Sequence, residues 1–335
     1  MKRYLTYILL ASALVGLGSC NKTPVPELPG DSDVVLEFGS TIVTRSAEAQ
    51  TVNGKIIPAG QSFGVFGWYG DAISGTPRYM DNQMVTNTGT EESSRYTYAP
   101  KRYWPDEGAL AFTAYYPYET GTNDTGISFA DDKTSFSFSV KPDAADQVDF
   151  LVADTFTSPT VPANYTVDLH FRHALSKINV LFRYDPETVR DDERARPLGI
   201  ALENVCMTGS CVPGPVWSNL SGKGRTTFGL TGGDASACLL IPQETAPLSF
   251  VIDARIEKVQ GGEVTDYRDK HCVVQVPCTE EAGGVTSWTN GIVYTYELYF
   301  NGDQVKVELV DITVDNWNKA ADWKNSEFSN WMDEE

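Results

Sequence analysis

Two histidines three residues apart, His170 and His173, are the first pair of side chains in this sequence that could bind a metal ion. A zinc site needs three or four convergent ligands. The residues around the pair alternate between apolar and polar, which predicts a strand, and positions three apart in a strand face opposite sides. His271 and its neighbour Cys272 are separated in the same way. We therefore predict no metal site and no cofactor.

Catalytic motifs are also missing. The sequence contains no GxSxG, HExxH, phosphate-binding loop or dinucleotide fingerprint. The segment SGKGRTT (Ser221–Thr227) lacks the upstream glycine of a phosphate loop and instead predicts a hairpin turn. Nothing in the spacing of the 45 acidic residues singles out a carboxyl pair for glycoside hydrolysis. We predict that the protein is not an enzyme, and a hydrolase is the least favoured alternative.

The N-terminus carries a candidate modification site at Cys20. A short charged start precedes an apolar stretch, and the tetrapeptide LGSC ends at this cysteine. These are features of a secretory signal, and LGSC resembles the lipobox of bacterial lipoproteins. The resemblance implies cleavage before Cys20, a diacylglyceryl thioether on its sulfur and an acylated amine, which together would hold the protein durably at a membrane. An ordinary signal peptide is the alternative.

Five further cysteines leave an odd number, so at least one is a free thiol or pairs with another molecule. Cys206 and Cys211 flank MTGS, a possible hairpin turn, and are therefore the candidate disulfide. Such a bond would stabilise the folded protein by roughly 2 kcal/mol. On a straight strand Cys272 and Cys278 would lie about 20 Å apart, too far for a bridge. We expect these two and Cys238 to be free, buried thiols.

Charge and composition limit the fold class and the partners. The formal net charge of −19 predicts repulsion from nucleic acid. Abundant Tyr, Phe and Trp favour strands, and abundant Gly and Pro favour turns. Short alternating segments separated by turn residues predict an all-β sandwich or barrel. After the signal, no apolar run is long enough to span a bilayer as a helix.

A length of 335 residues predicts two domains. A Pro-rich, polar stretch follows Cys20 and predicts a tether. The segment TSPTVPANY predicts a domain boundary, and a parity switch near Ala174–Lys177 predicts a bulge or bend. The predicted divisions are a signal peptide at 1–19, a flexible tether at 20–33, an N-terminal β-sandwich at 34–160, a C-terminal β-sandwich at 161–318 and an acidic tail at 319–335.

The first strand is predicted from Val34 to Val43. Leu36, Phe38, Ser40 and Ile42 alternate with Glu37, Gly39, Thr41 and Val43, as expected for a strand with one buried face.

Three segments in order carry a family resemblance, namely Tyr103–Tyr118, Asp146–Asp154 and Leu169–Val180. With the lipobox, the pair Thr44–Arg45 and the closing VYTYELYF…ITVDNW, they resemble the fimbrillin family, the lipoprotein pilins of type V fimbriae in Gram-negative anaerobes. The resemblance covers Val34 to Trp317. It implies two tandem transthyretin-like β-sandwich domains.

The resemblance also implies a mechanism. The precursor would reach the outer membrane as a lipoprotein, and an arginine-specific protease would cut between Arg45 and Ser46. The first strand would then leave, and an extended segment of another pilin subunit would fill its place. A vacated strand exposes backbone groups and an apolar trough, and an added strand covers both. The implied function is a fimbrial subunit at the cell surface with a role in adhesion.

The C-terminal tail departs from the family pattern. A stalk subunit needs a donor strand with alternating apolar residues, but Trp323, Phe328 and Trp331 do not share one parity and the chain ends in acids. Tip, anchor and accessory positions therefore all stay open.

The alternative function is a glycan-binding surface lipoprotein, whose ligand would be a glycan or protein of a host or bacterial surface. Trp68, Trp217 and Trp288 discriminate between the two functions. An exposed cluster would favour glycan binding, whereas burial would favour a scaffold role.

Overall fold

The computed structural model describes residues 31–45, 50–55, 57–90, 93–122, 124–184, 192–231, 234–235, 237–301 and 305–313. These residues form β-strands and two short 3-10 turns, Ala144–Asp146 and Glu280–Ala282, without an α-helix. The predicted all-β class is confirmed. Within the same ranges, no helix has the length and apolar character needed to cross a membrane.

The strands of the described residues alternate with short connections, as expected from the Gly and Pro content. In chain order they are β1 (Asp31–Val35), β2 (Glu37–Arg45), β3 (Gln50–Lys55), β4 (Ser62–Tyr69), β5 (Met80–Asn87), β6 (Tyr96–Thr97), β7 (Tyr103–Pro105), β8 (Leu110–Tyr116), β9 (Ile127–Phe129), β10 (Phe136–Ser139), β11 (Leu151–Ala153), β12 (Phe156–Ser158), β13 (Thr166–His173), β14 (Ser176–Tyr184), β15 (Glu193–Val212), β16 (Val216–Phe228), β17 (Leu230–Thr231), β18 (Asp234–Ala235), β19 (Cys238–Leu240), β20 (Ser249–Gln260), β21 (Glu263–Gln275), β22 (Val293–Phe300) and β23 (Val305–Thr313).

Three sheets contain most of these strands. The first has nine strands in the order β3-β2-β13-β11-β8-β4-β5-β6, with β12 also paired to β8. The second has six strands in the order β21-β20-β15-β10-β9, with β16 also paired to β15, and the third has the order β19-β14-β22-β23. Two small pairs, β1–β7 and β17–β18, complete the pairing of the described strands.

The buried side chains form two cores. The first core is enclosed by the nine-stranded sheet and includes Leu36, Phe38, Phe63, Phe112 and Phe171. The second core joins the second and third sheets and includes Phe150, Val180, Phe250, Ile252 and Leu298.

Strand β4 separates the two cores and is buried on both faces. Phe63 and Val65 belong to the first core, whereas Phe66 and Trp68 on the opposite face belong to the second core. The alternation of the sequence predicts this division into two faces, and the structure confirms it. The nine-stranded sheet therefore contributes apolar side chains to both cores.

The chain passes between sheets more than once. Strand β13 lies after the predicted boundary at residue 160, yet it pairs with β2 and β11 in the first sheet. Strands β9 and β10 lie before that boundary, yet β10 pairs with β15 in the second sheet. The bend predicted near Ala174–Lys177 coincides with the passage from β13 to β14 in the third sheet, which explains the parity switch. The tether predicted at 20–33 overlaps β1, which begins at Asp31.

Two predicted hairpin turns are wrong. MTGS lies inside β15, and SGKGRTT lies inside β16. The two strands pair antiparallel, with Val212 opposite Val216, so the turn falls at residues 213–215. There Pro213 precedes Gly214, whose φ of +87° is accessible to glycine at little cost. The Pro-Gly pair was the stronger turn signal.

Candidate functional site

The candidate site is the position of β2 in the nine-stranded sheet. This strand pairs in parallel with β13, from Glu37 opposite Thr166 to Ile42 opposite Phe171. On its other side it pairs antiparallel with β3. The strand predicted at Val34–Val43 thus corresponds to β1 and β2, which are interrupted at Leu36. The segment before Arg45 is an internal strand of a sheet, so its departure would leave a groove beside β13.

The inward face of β2 carries the residues expected from the alternation. Leu36, Phe38, Ser40 and Ile42 are all buried, whereas Glu37 is exposed. Val43 departs from the predicted alternation, because it is also buried, next to a shift in the register between β2 and β3. The Phe38 ring packs edge-to-face against three other rings, those of Phe63, Tyr98 and Phe112, with centroid distances of 6.4, 5.4 and 6.2 Å. Such ring pairs stabilise a folded protein by more than the burial of their surface area alone.

The backbone of β2 is held at its start by two hydrogen bonds. The Leu36 N–H donates to the Arg102 carbonyl over 3.0 Å, and the Tyr98 hydroxyl donates to the Leu36 carbonyl over 2.7 Å. Burial raises the pKa of Tyr98, so the phenol keeps its proton and remains a donor at neutral pH. These bonds fix the register at Leu36.

A buried hydroxyl on β2 has partners outside its own strand. The Ser40 hydroxyl pairs with the Tyr96 hydroxyl and accepts the Ile57 N–H over 3.4 Å. Burial raises the pKa of Tyr96, which also stays protonated. Neither Tyr96 nor Tyr98 stands out in the sequence as a partner of this strand. The available signal was the polar Ser40 at a core position, which requires a hydrogen-bonding partner.

The outward face of β2 lies close to a β13 side chain at Gly39. A Cβ atom added to Gly39 would lie 2.3 Å from Asp168 Oδ1 and 3.5 Å from Thr166 Cγ2. Asp168 is opposite Gly39 in the register and also accepts a hydrogen bond from Asn164. The glycine therefore allows the Asp168 carboxylate to lie across β2.

The candidate processing site lies at the end of β2. Arg45 is the last residue of the strand and is opposite Gln50 in β3. Ser46 lies outside the described residues, as does Cys20, the candidate lipidation site. The predicted scissile bond therefore falls at the connection between the two strands of a hairpin.

The predicted disulfide between Cys206 and Cys211 is wrong, because both thiols are free. The two cysteines lie on the same strand, opposite Lys223 and Trp217, rather than on two sides of a turn. Five residues of strand separate them by about 16 Å, whereas a disulfide needs Cα atoms within about 7 Å. Cys238, Cys272 and Cys278 form no disulfide, as predicted, but only Cys238 of these three is fully buried.

The histidines are separated as the strand pattern predicts. His170 is exposed and His173 is buried on the opposite face of β13. His173 Nδ1 lies 2.8 Å from Asp149 Oδ2, so its near neighbour is a carboxylate rather than the other histidine. In the described ranges, no three His, Cys, Asp or Glu side chains converge in a group suited to a metal ion.

The three discriminating tryptophans belong to the interior. Trp68 and Trp288 are each 2% exposed. Trp217 is half-buried against Phe138 and Phe150, and its indole N–H donates to the Ala174 carbonyl over 2.6 Å. By the criterion set from the sequence, this arrangement favours a scaffold role over a glycan-binding platform.

Comparison with solved structures reveals a shared fold. The structure is similar to that of a candidate cell adhesion protein from Bacteroides uniformis, with a TM-score of 0.57 and 18% identity, covering 84% of this chain and 96% of that one. A fimbrial protein from Bacteroides vulgatus is similar with a TM-score of 0.56 and 19% identity, covering 82% of this chain and 98% of that one. Among curated proteins, none matches this sequence.

A comparison with protein families identifies the chain more directly. A family model described as fimbrillin-like matches residues 44–317, well over half of the sequence. The matched range includes strands from all three sheets. The resemblance inferred from the sequence is thereby confirmed, and the chain belongs to the fimbrillin-like family.

Proposed function

We propose that the protein is a surface-exposed fimbrial subunit with a role in adhesion, in a tip, anchor or accessory position, joined to other subunits by strand exchange at β2. The observation that carries this proposal is the placement of β2. Its inward residues are buried in the first core, yet the strand is near the N-terminus and ends at Arg45. Loss of β2 would uncover the first core and the backbone edge of β13, and an incoming strand would restore both.

Two further parts of the proposal concern the chain outside the described residues. The lipobox supports acylation of Cys20 and anchoring in the outer membrane. Incorporation of labelled palmitate that is abolished by Cys20→Ala would support this part, and incorporation that persists in Cys20→Ala would contradict it.

Cleavage after Arg45 is tested with the purified mature protein and an arginine-specific protease. We expect a cut between Arg45 and Ser46, because the bond lies at a hairpin connection, where protease access is best. The matched control is Arg45→Lys, which keeps the charge but removes the recognised side chain. Mass spectrometry identifies the cut.

An uncut wild-type chain, under conditions that cleave a reference pilin, would contradict processing at Arg45. After cleavage, the N-terminal piece is followed by size-exclusion chromatography in the presence of a second pilin subunit. If the N-terminal piece stays bound to the rest of its own chain and no complex with the second subunit forms, strand exchange would be contradicted.

A further inference from the structure

We propose that the groove occupied by β2 selects a segment of another polypeptide in which an aromatic residue is followed two positions later by serine or threonine, with apolar residues at the flanking inward positions. This inference rests on the proposed function because β2 must leave before another segment enters. It adds the side-chain pattern that the incoming segment must carry.

The first position of the groove fixes the register. Leu36 is fully buried, and its N–H and carbonyl are both bonded, to the Arg102 carbonyl and the Tyr98 hydroxyl. Any incoming residue except proline can make these backbone bonds, but only an apolar side chain fits the buried position. The subsequent inward positions then follow at intervals of two residues.

The second position is built from aromatic rings. Phe63, Tyr98 and Phe112 surround Phe38 in edge-to-face contacts. An aliphatic side chain here would lose all three ring contacts and leave unfilled volume in the first core. An aromatic side chain is therefore favoured at this position.

The third position requires a hydroxyl group. Ser40 provides the partner for the buried Ile57 N–H and for the hydroxyl of Tyr96. An apolar side chain in its place would leave the buried Ile57 N–H without its partner and would remove one of the two hydroxyl partners of Tyr96, and the loss of a hydrogen bond at a buried position is costly.

The pattern excludes a second copy of this chain as the donor from its tail. An apolar residue, an aromatic residue, a serine or threonine and another apolar residue at alternate positions occur together only at Leu36, Phe38, Ser40 and Ile42 in the whole sequence. No aromatic residue of the segment 314–335 is followed two positions later by a hydroxyl residue. Strand β2 of a second copy fits the pattern, but it would have to leave an identical groove, with no net gain in contacts. We therefore expect the donor to be a different polypeptide.

The test uses the full chain with residues 46–49 replaced by the recognition sequence of a sequence-specific protease, so that it does not depend on cleavage at Arg45. After cutting, fluorescent peptides corresponding to residues 31–45 compete for the groove, and their incorporation is measured. Peptides with Ser40→Thr and Ser40→Val are a matched pair, because the two side chains have the same shape and differ in the hydroxyl group. Phe38→Leu tests the aromatic position.

We expect the wild-type and Ser40→Thr peptides to enter similarly and the Ser40→Val peptide to bind on the order of tenfold more weakly. When the groove carries Tyr96→Phe, the difference in affinity between the Ser40→Thr and Ser40→Val peptides should become smaller. Equal binding of Thr and Val peptides overturns the proposed selection while leaving strand exchange intact. Exclusion of every peptide, including the wild type, overturns strand exchange and this inference with it.

The choice of another polypeptide is tested separately. The cut protein alone should stay monomeric during size-exclusion chromatography, because its tail lacks the pattern. Multimers formed by the cut protein alone would overturn this part of the inference.

Discussion

Cys211 is a buried thiol whose ionisation is opposed by the fold. It is fully buried in the second core, and burial raises the pKa of its thiol to about 12. An unfolded cysteine has a pKa of about 8.5. Between these values the unfolded chain loses a proton that the folded chain keeps, so the free energy of unfolding falls as the pH rises. The contribution is complete below about pH 8.5 and is lost towards pH 12.

We therefore predict that the free energy of unfolding of the wild-type protein falls above about pH 8.5. In the Cys211→Ala variant the free energy of unfolding should fall less steeply, by up to about 1.4 kcal/mol per pH unit. The measurement is urea unfolding of both proteins at pH 7, 9 and 10. The variant loses buried volume, so its stability at pH 7 is the reference for its own series. Parallel pH profiles for the two proteins would contradict a buried, neutral thiol at Cys211.

Single-residue properties were predictable where the local pattern determines them. The opposite faces of His170 and His173 follow from strand geometry alone. The disulfide failed because it depended on where the chain turns, and a turn assigned to MTGS placed two residues of the same strand on opposite sides of a hairpin. The partners of Ser40 were not predictable, because Ile57 and Tyr96 are brought to it by the sheet rather than by the sequence.

At the scale of the element, β2 and β13 are matched at one close contact. A valine at Gly39 would favour the strand by its intrinsic preference, but its Cβ atom would collide with the Asp168 carboxylate, 2.3 Å away. Because the Asp168 side chain is exposed and its carboxylate can rotate away, we predict that Gly39→Val lowers the free energy of unfolding by at most about 1 kcal/mol.

The control for this prediction removes the obstacle. Asp168→Ala alone should change stability by less than about 0.5 kcal/mol, because Asp168 is exposed. In the Asp168→Ala background, Gly39→Val should be neutral or stabilising. A double-mutant cycle by urea denaturation measures the coupling. Equal effects of Gly39→Val in both backgrounds would contradict the predicted contact between the Asp168 carboxylate and a side chain at position 39.

Strand existence was predictable, but strand partners were not. Alternation along β2 and β13 identifies each strand and its buried face, because these properties depend on neighbouring residues. The parallel pairing of β2 with β13 joins residues more than a hundred positions apart. No local pattern contains that information, so the groove became visible only in the folded sheet.

At the scale of the whole molecule, the two cores share a wall. Strand β4 presents Phe63 and Val65 to the first core and Phe66 and Trp68 to the second core. Strand β13 crosses the predicted boundary in one direction, and β9 and β10 cross it in the other. The division into sandwiches at 34–160 and 161–318 stays a prediction. The shared wall indicates that the two cores unfold together, because neither is complete without the nine-stranded sheet.

The cooperative unit is tested with Phe63→Leu, which alters only the first core. Phe63 is fully buried and contacts Phe38 and Phe171, and the substitution should cost about 1 kcal/mol or somewhat more. If unfolding is cooperative, amide hydrogen exchange in β22, which contributes to the second core, should lose the same protection as β8. The control is Val273→Ala, because this side chain on the outer strand β21 is 60% exposed. The control should change the protection of neither β8 nor β22. Loss of protection confined to the nine-stranded sheet would instead mean that the two cores unfold independently. In that case, removal of β2 would loosen the first core while the second core stays folded.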